Sequence, residues 1–75
     1  MRNIIILEPW GEVCETLRNV IEDEPYLVLD FGKFQVRLFS DMAKDIRCRL
    51  DEEIGNEIAI LRTDLPDKPL LLRKL

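Results

Sequence analysis

The sequence predicts a mainly β domain with one helix. Three observations predict it: a hairpin pattern centred on one glycine over 26–39, an amphipathic helical repeat over 41–54, and β-branched apolar runs at 4–7 and 57–62. A hydrophobic content of 47% with 35% charged residues is typical of a folded globular chain. Seventy-five residues allow a single domain, 1–75.

The hairpin is the clearest local feature, because two β-rich runs flank Gly32. If Gly32 and Lys33 form a two-residue turn, the cross-strand pairs place six large apolar side chains on one face. These are Leu27, Leu29, Phe31, Phe34, Val36 and Leu38. The opposite face receives Tyr26 beside Phe39, with Arg37 on the same strand as Phe39. We therefore expect the first face to be core and the second to be mixed.

A helix is predicted over 41–54, directly after the hairpin. Ser40 or Asp41 supplies the N-cap, and Gly55 supplies the C-terminal stop. Apolar residues recur every four positions, at Met42, Ile46, Leu50 and Ile54. The remaining pattern predicts strands over 57–62 and 70–75, joined by a turn-rich loop over 63–69.

The amino-terminal run from Ile4 to Leu7 is apolar without alternation and is closed by Pro9. Such a run predicts a strand that is covered on both faces. It is too short for a signal sequence or a membrane span, so we expect a cytoplasmic protein with no membrane association.

Residues 12–24 allow two interpretations. Apolar side chains at 13, 14, 17, 20 and 21 fit one helical stripe. Two observations disfavour a helix. Many of these residues are poor helix formers, and the acidic run 22–24 would lie at the negative end of a helix dipole. The alternation Val13, Glu15, Leu17 instead predicts a strand that continues the first one beyond a kink at Gly11.

If 12–24 is a strand, the order of elements is β-β-β-α-β-β. The stretch Tyr26-Leu27-Val28-Leu29-Asp30 with Gly32, followed by Val36-Arg37-Leu38-Phe39-Ser40, a helix and the strand 57–62, resembles small OB-fold domains of the replication-protein kind over 26–75. That resemblance implies a five-stranded OB-like barrel. If 12–24 is helical, the order β-α-β-β-α-β predicts a ferredoxin-like α+β fold instead. We prefer the barrel because it uses all five strands.

Catalytic chemistry has little support in the sequence, and we expect no enzyme. Histidine is absent, which removes the commonest general base and metal ligand. No phosphate-binding glycine motif occurs, and the carboxylate runs 22–24 and 51–53 lack the spacing of a calcium loop, so no cofactor or metal is expected. Cys14 and Cys48 are expected to be reduced thiols that pack as small apolar residues, although a disulfide stays open.

The charge is acidic overall, at −4, but uneven along the chain. Residues 33–49 contain five basic side chains and only two acidic ones, Asp41 and Asp45. The five are Lys33, Arg37, Lys44, Arg47 and Arg49. An acidic domain with one basic patch keeps a nucleic-acid partner open, although its net charge repels phosphates at long range.

The candidate ligand-binding residues are Tyr26, Lys33, Arg37 and Phe39, on the mixed face of the hairpin. The OB resemblance implies single-stranded nucleic acid stacked on these rings. The alternative is a protein partner or a homodimer, and the Tyr26–Phe39 pair could also serve only to close the barrel or lie beneath the 63–69 loop. Charge placement discriminates between the two partners: nucleic acid is favoured if the cations share this face, and protein is favoured if it is neutral and apolar. Trp10 is expected to anchor the core or its rim.

Overall fold

The computed structural model describes residues 3–75 and shows a mainly β protein with one short helix. The strands are β1 (Asn3–Ile5), β2 (Glu12–Thr16), β3 (Asn19–Asp23), β4 (Tyr26–Asp30), β5 (Phe34–Phe39), β6 (Glu57–Arg62) and β7 (Leu70–Lys74). The helix α1 spans Arg47–Glu52. The predicted fold class is confirmed at this level.

The strands form two sheets. Sheet A has the order β1-β5-β4-β3, and sheet B has the order β2-β6-β7. Neighbours are antiparallel except for β1, which runs parallel to β5. Within residues 3–75 no strand of one sheet pairs with a strand of the other, so the five-stranded barrel is not confirmed.

The ambiguous segment 12–24 is extended and forms β2 and β3. Leu17, between them, is fully buried, and its N–H donates to the carbonyl of Asn56 at 3.0 Å while its own carbonyl accepts from Gly55 at 2.7 Å. The chain therefore passes from sheet B to sheet A here. Its β-branched residues favour extended backbone, and the acidic run at its end disfavours a helix. The ferredoxin-like alternative was wrong.

The hairpin has the predicted register, with Tyr26 paired with Phe39 and Leu29 paired with Val36. Gly32 has a φ of 88°, and Lys33 is not among the residues of positive φ, which is typical of a type II′ turn. The carboxylate of Asp30 accepts from the N–H of Gly32 at 2.8 Å. One glycine therefore determines which side chains face the core.

The first strand differs from its prediction. β1 is a three-residue edge strand of sheet A, and both Ile4 and Ile6 are more than half exposed, so the strand is not covered on both faces. It does not continue beyond Gly11 either, because β1 and β2 belong to different sheets. A turn separates them, closed by the N–H of Gly11 donating to the carbonyl of Glu8 at 2.8 Å, with Trp10 at a φ of 68°.

The helix is shorter than the predicted 41–54. Residues 39–46 are held by bonds between residues three apart, such as Ala43 N–H to the carbonyl of Ser40 at 3.1 Å, and α1 begins without a side-chain cap. Gly55 follows the helix at a φ of 95°, and Ile54 is exposed instead of buried. Within residues 3–75 no helix has the length and apolar character to cross a membrane.

The core lies between the two sheets and under α1. Leu17, Leu29, Leu50 and Ile58 are all fully buried, and they come from the bend, the hairpin, the helix and sheet B. The core occupies one side of sheet A, and the other side is exposed only in part: Phe39 is exposed there, whereas Val28 and Asp30 are buried.

Candidate functional site

The outer face of sheet A is the side of its strands that points away from the core. Register places on it Ile4 of β1, Gln35, Arg37 and Phe39 of β5, Tyr26, Val28 and Asp30 of β4, and Asn19, Ile21 and Asp23 of β3. The position of each predicted ligand-binding residue can be compared with this face. These residues are the rings of Tyr26 and Phe39, the guanidinium of Arg37 and the turn residue Lys33.

Tyr26, Phe39 and Arg37 come together at one end of the outer face. The rings of Tyr26 and Phe39 lie 5.3 Å apart between centroids at an interplanar angle of 34°. The Cζ atom of Arg37 lies 5.0 Å from the Tyr26 centroid, within cation–π range. Phe39 is 54% exposed, so one ring of the pair is open to a ligand.

Lys33 is not part of this group. It lies in the turn at the opposite end of the hairpin, six residues from Phe39 along the strand direction. At about 3.3 Å per residue the separation is about 20 Å. The fourth predicted site residue therefore reaches a ligand only if that ligand runs along the whole strand.

The helix cations also lie elsewhere. Arg47 donates to the carboxylates of Asp51 and Glu22, at 2.5 and 3.2 Å, and these hydrogen bonds and charges raise its pKa above the ordinary value, the bond to Asp51 most. Arg49 donates to the carbonyl of Leu72 at 3.1 Å. Neither belongs to the outer face, so the basic patch suggested by the local excess of positive charge does not assemble there.

A second guanidinium, that of Arg62, lines the same cavity as the two rings, and sequence reasoning missed it. Arg62 ends β6 and donates to the carbonyl of Leu7 at 2.6 Å. Together with Arg37 it lines a cavity of about 110 Å³, which we name the Arg37–Arg62 cavity. The cavity is lined by Ile6, Leu7, Tyr26, Arg37, Leu38, Phe39, Met42 and Arg62. Alternation along β6 could have pointed to Arg62, because it shares the side of Ile58 and Ile60, which are core.

The cavity has an unusual charge. Two guanidiniums line it and no carboxylate does, in a protein of net charge −4. The Nε atoms of Arg37 and Arg62 are buried and donate to no acceptor within residues 3–75. Leaving a buried donor without an acceptor costs about 1–3 kcal/mol, more for a charged group.

The thiols offer no comparable chemistry. Cys14 and Cys48 are free and exposed, so they do not pack as small apolar residues as expected. Limited desolvation, and then the carboxylate of Glu12, raise the pKa of the Cys14 thiol above its ordinary value, which disfavours the nucleophilic thiolate. No group of three or more potential metal ligands occurs in the described part of the chain. Trp10, expected as an anchor, is 56% exposed.

Comparisons of the chain with protein-family models, with curated proteins and with solved structures found no match. The features of the molecule that bear on function are therefore the outer face of sheet A and the Arg37–Arg62 cavity.

Proposed function

We propose that the protein is a non-catalytic, OB-like binding module and that the outer face of sheet A binds single-stranded nucleic acid. The observation that carries the proposal is the group of Tyr26, Arg37 and the exposed ring of Phe39, which adjoins a cavity lined by a second guanidinium, that of Arg62. Aromatic rings and cations are what a single strand needs: a surface for its bases and positive charge for its backbone.

The order of the elements supports the OB-like interpretation. The extended segment 12–23 bends at Leu17 and contributes to both sheets, the hairpin β4–β5 follows, and α1 lies between β5 and β6. Binding across the second and third strands is the mode that OB domains use, and β4 and β5 occupy those positions when β2 and β3 are counted as one bent strand. β1 is then an addition at the edge of sheet A.

The expected affinity is weak. Stacking contributes about 1–3 kcal/mol per base, and two rings limit the number of stacked bases. Two guanidiniums neutralise about two phosphates, which predicts a slope near −1.4 for log K against log salt on a single strand. The acidic balance of the chain opposes the approach of a polyanion.

Salt dependence tests the proposal. We expect a fluorescein-labelled decathymidylate to bind with a slope near −1.4, measured by anisotropy over a series of NaCl concentrations. Arg37→Gln should bring the slope to about half of that value. Arg73→Gln is the control, because Arg73 is exposed on sheet B and faces Glu12. Binding that is insensitive both to salt and to Arg37→Gln would rule out nucleic acid.

A second candidate is homodimerisation through the same face. Ile4, Ile6 and Ile21 are exposed on it or at its edge, beside Phe39. The face carries Arg37 together with Asp23 and Asp30, so a two-fold axis can place the cation of one copy near a carboxylate of the other. A second copy would also remove the apolar side chains from water.

Light scattering after size exclusion tests this candidate. A dimer through the outer face should give twice the monomer mass of 8.8 kDa at high concentration. Ile6→Ser should return the protein to monomer, whereas Leu65→Ser, in the exposed 63–69 loop, should not. A mass of 8.8 kDa at every concentration would exclude the dimer.

A further inference from the structure

We propose that the Arg37–Arg62 cavity seats one pyrimidine base, so that the module prefers pyrimidine-containing single strands. The inference rests on the proposed function and adds to it the chemical class of the base. Three properties of the cavity carry it: its size, the polarity of its walls and its position relative to the exposed ring.

Size limits what can enter. The cavity measures about 110 Å³, and its walls include Leu7 and Leu38, both buried, which form the side toward the core. An engineered apolar cavity of about 150 Å³ in another protein holds one benzene molecule. The Arg37–Arg62 cavity is smaller but adjoins solvent at Ile6 and Phe39, both more than half exposed. One six-membered ring therefore fits with one edge at the opening, whereas the fused rings of a purine would leave more of their surface outside the cavity.

The polar groups of the walls are mostly donors. The two guanidiniums carry only N–H groups, the Tyr26 hydroxyl can donate, and no carboxylate or amide side chain lines the cavity. Pyrimidine rings offer carbonyl oxygens, and both uracil and thymine have two. A ring with carbonyl oxygens therefore supplies acceptors to a cavity whose two charged side chains can only donate.

The rest of the wall suits the faces of such a ring. Tyr26 and Phe39 supply aromatic surface, and Ile6 and Met42 supply apolar contact. Free phosphate has no apolar face to bury here, so the cavity is matched to a base more closely than to the backbone. The backbone would lie on the outer face beside Phe39, where its phosphates remain within a Debye length of both guanidinium charges.

Mononucleotides test the inference without the self-stacking of longer purine strands. We expect uridine monophosphate, titrated into the labelled protein and followed by amide NMR shifts, to move Leu7, Leu38 and Arg62. Its dissociation constant should be severalfold lower than that of adenosine monophosphate. Ribose 5-phosphate should not move these amides. Met42→Ala enlarges the cavity and should bring the two nucleotide constants closer together, whereas Leu71→Ala, on sheet B, should leave their ratio unchanged.

The outcomes separate the inference from the proposed function. Equal or tighter binding of adenosine monophosphate, or the same shifts with ribose 5-phosphate, would overturn the pyrimidine site. Decathymidylate binding without any cavity shifts would also overturn it and leave the proposed function standing. If decathymidylate does not bind, both fail.

Discussion

Leu17→Ala is expected to lower the free energy of unfolding by about 2–5 kcal/mol, a large part of the roughly 4–11 kcal/mol of a 75-residue domain. Leu17 is fully buried at the bend between β2 and β3 and packs in the core formed by both sheets. The backbone bonds to Asn56 and Gly55 hold the bend in place, so the structure cannot easily collapse into the vacated volume. Urea denaturation followed by circular dichroism measures the effect.

Ile21→Ala is the matched control. A helix over 12–24 would place residues 17 and 21 on the same buried stripe, whereas the extended backbone places Ile21 on the outer face, where it is 39% exposed. We therefore expect Ile21→Ala to cost well under half as much as Leu17→Ala. Similar costs for the two substitutions would contradict the extended backbone.

Local chemistry explains what could be predicted from the sequence. The hairpin register follows from one glycine in the turn and from strict alternation on both sides, because a slip by one residue would turn every apolar side chain to solvent. The strands over 57–62 and 70–75 are likewise defined by turn residues at their ends. In these segments, the residues that determine a strand or turn lie within a few positions of it in the sequence.

The predictions that failed concern relations between distant segments. The run from Ile4 to Leu7 lacks alternation, but only the pairing with β5 decides that it is an edge strand. The helical repeat from Met42 to Ile54 is longer than the helix, because the chain between Phe39 and Ile46 is held in tighter turns and Ile54 lies beyond α1. The helical periodicity of a sequence indicates which residues are apolar, but it does not indicate how many of them are buried in the folded protein.

The candidate site divides in the same way. Tyr26, Arg37 and Phe39 could be grouped from the sequence because they belong to one hairpin, whereas Lys33 was added to them for its charge and lies at the other end of the strands. Arg62 is 25 residues beyond Arg37 in the chain, and only the packing of the two sheets brings both to one cavity. Unpaired donors are likewise visible only in the folded protein.

Phe39→Ala is expected to weaken decathymidylate binding about five- to a hundredfold at low salt, the equivalent of one stacked base. Phe39 is 54% exposed and packs against Tyr26, so its ring is the part of the aromatic pair that a base can reach. Because the side chain lies largely outside the core, its removal should change the unfolding midpoint little. Anisotropy titrations of the wild-type and variant proteins measure the loss.

Trp10→Ala is the control that distinguishes a specific role of Phe39 from a general effect of exposed aromatic surface. Trp10 is as exposed as Phe39, at 56%, but it lies in the turn between β1 and β2 and does not line the cavity. If exposed aromatic surface alone attracted the strand, the two substitutions would weaken binding equally. If the outer face orients the bases, Trp10→Ala should leave the affinity unchanged, and only Phe39, beside the guanidinium of Arg37, should matter.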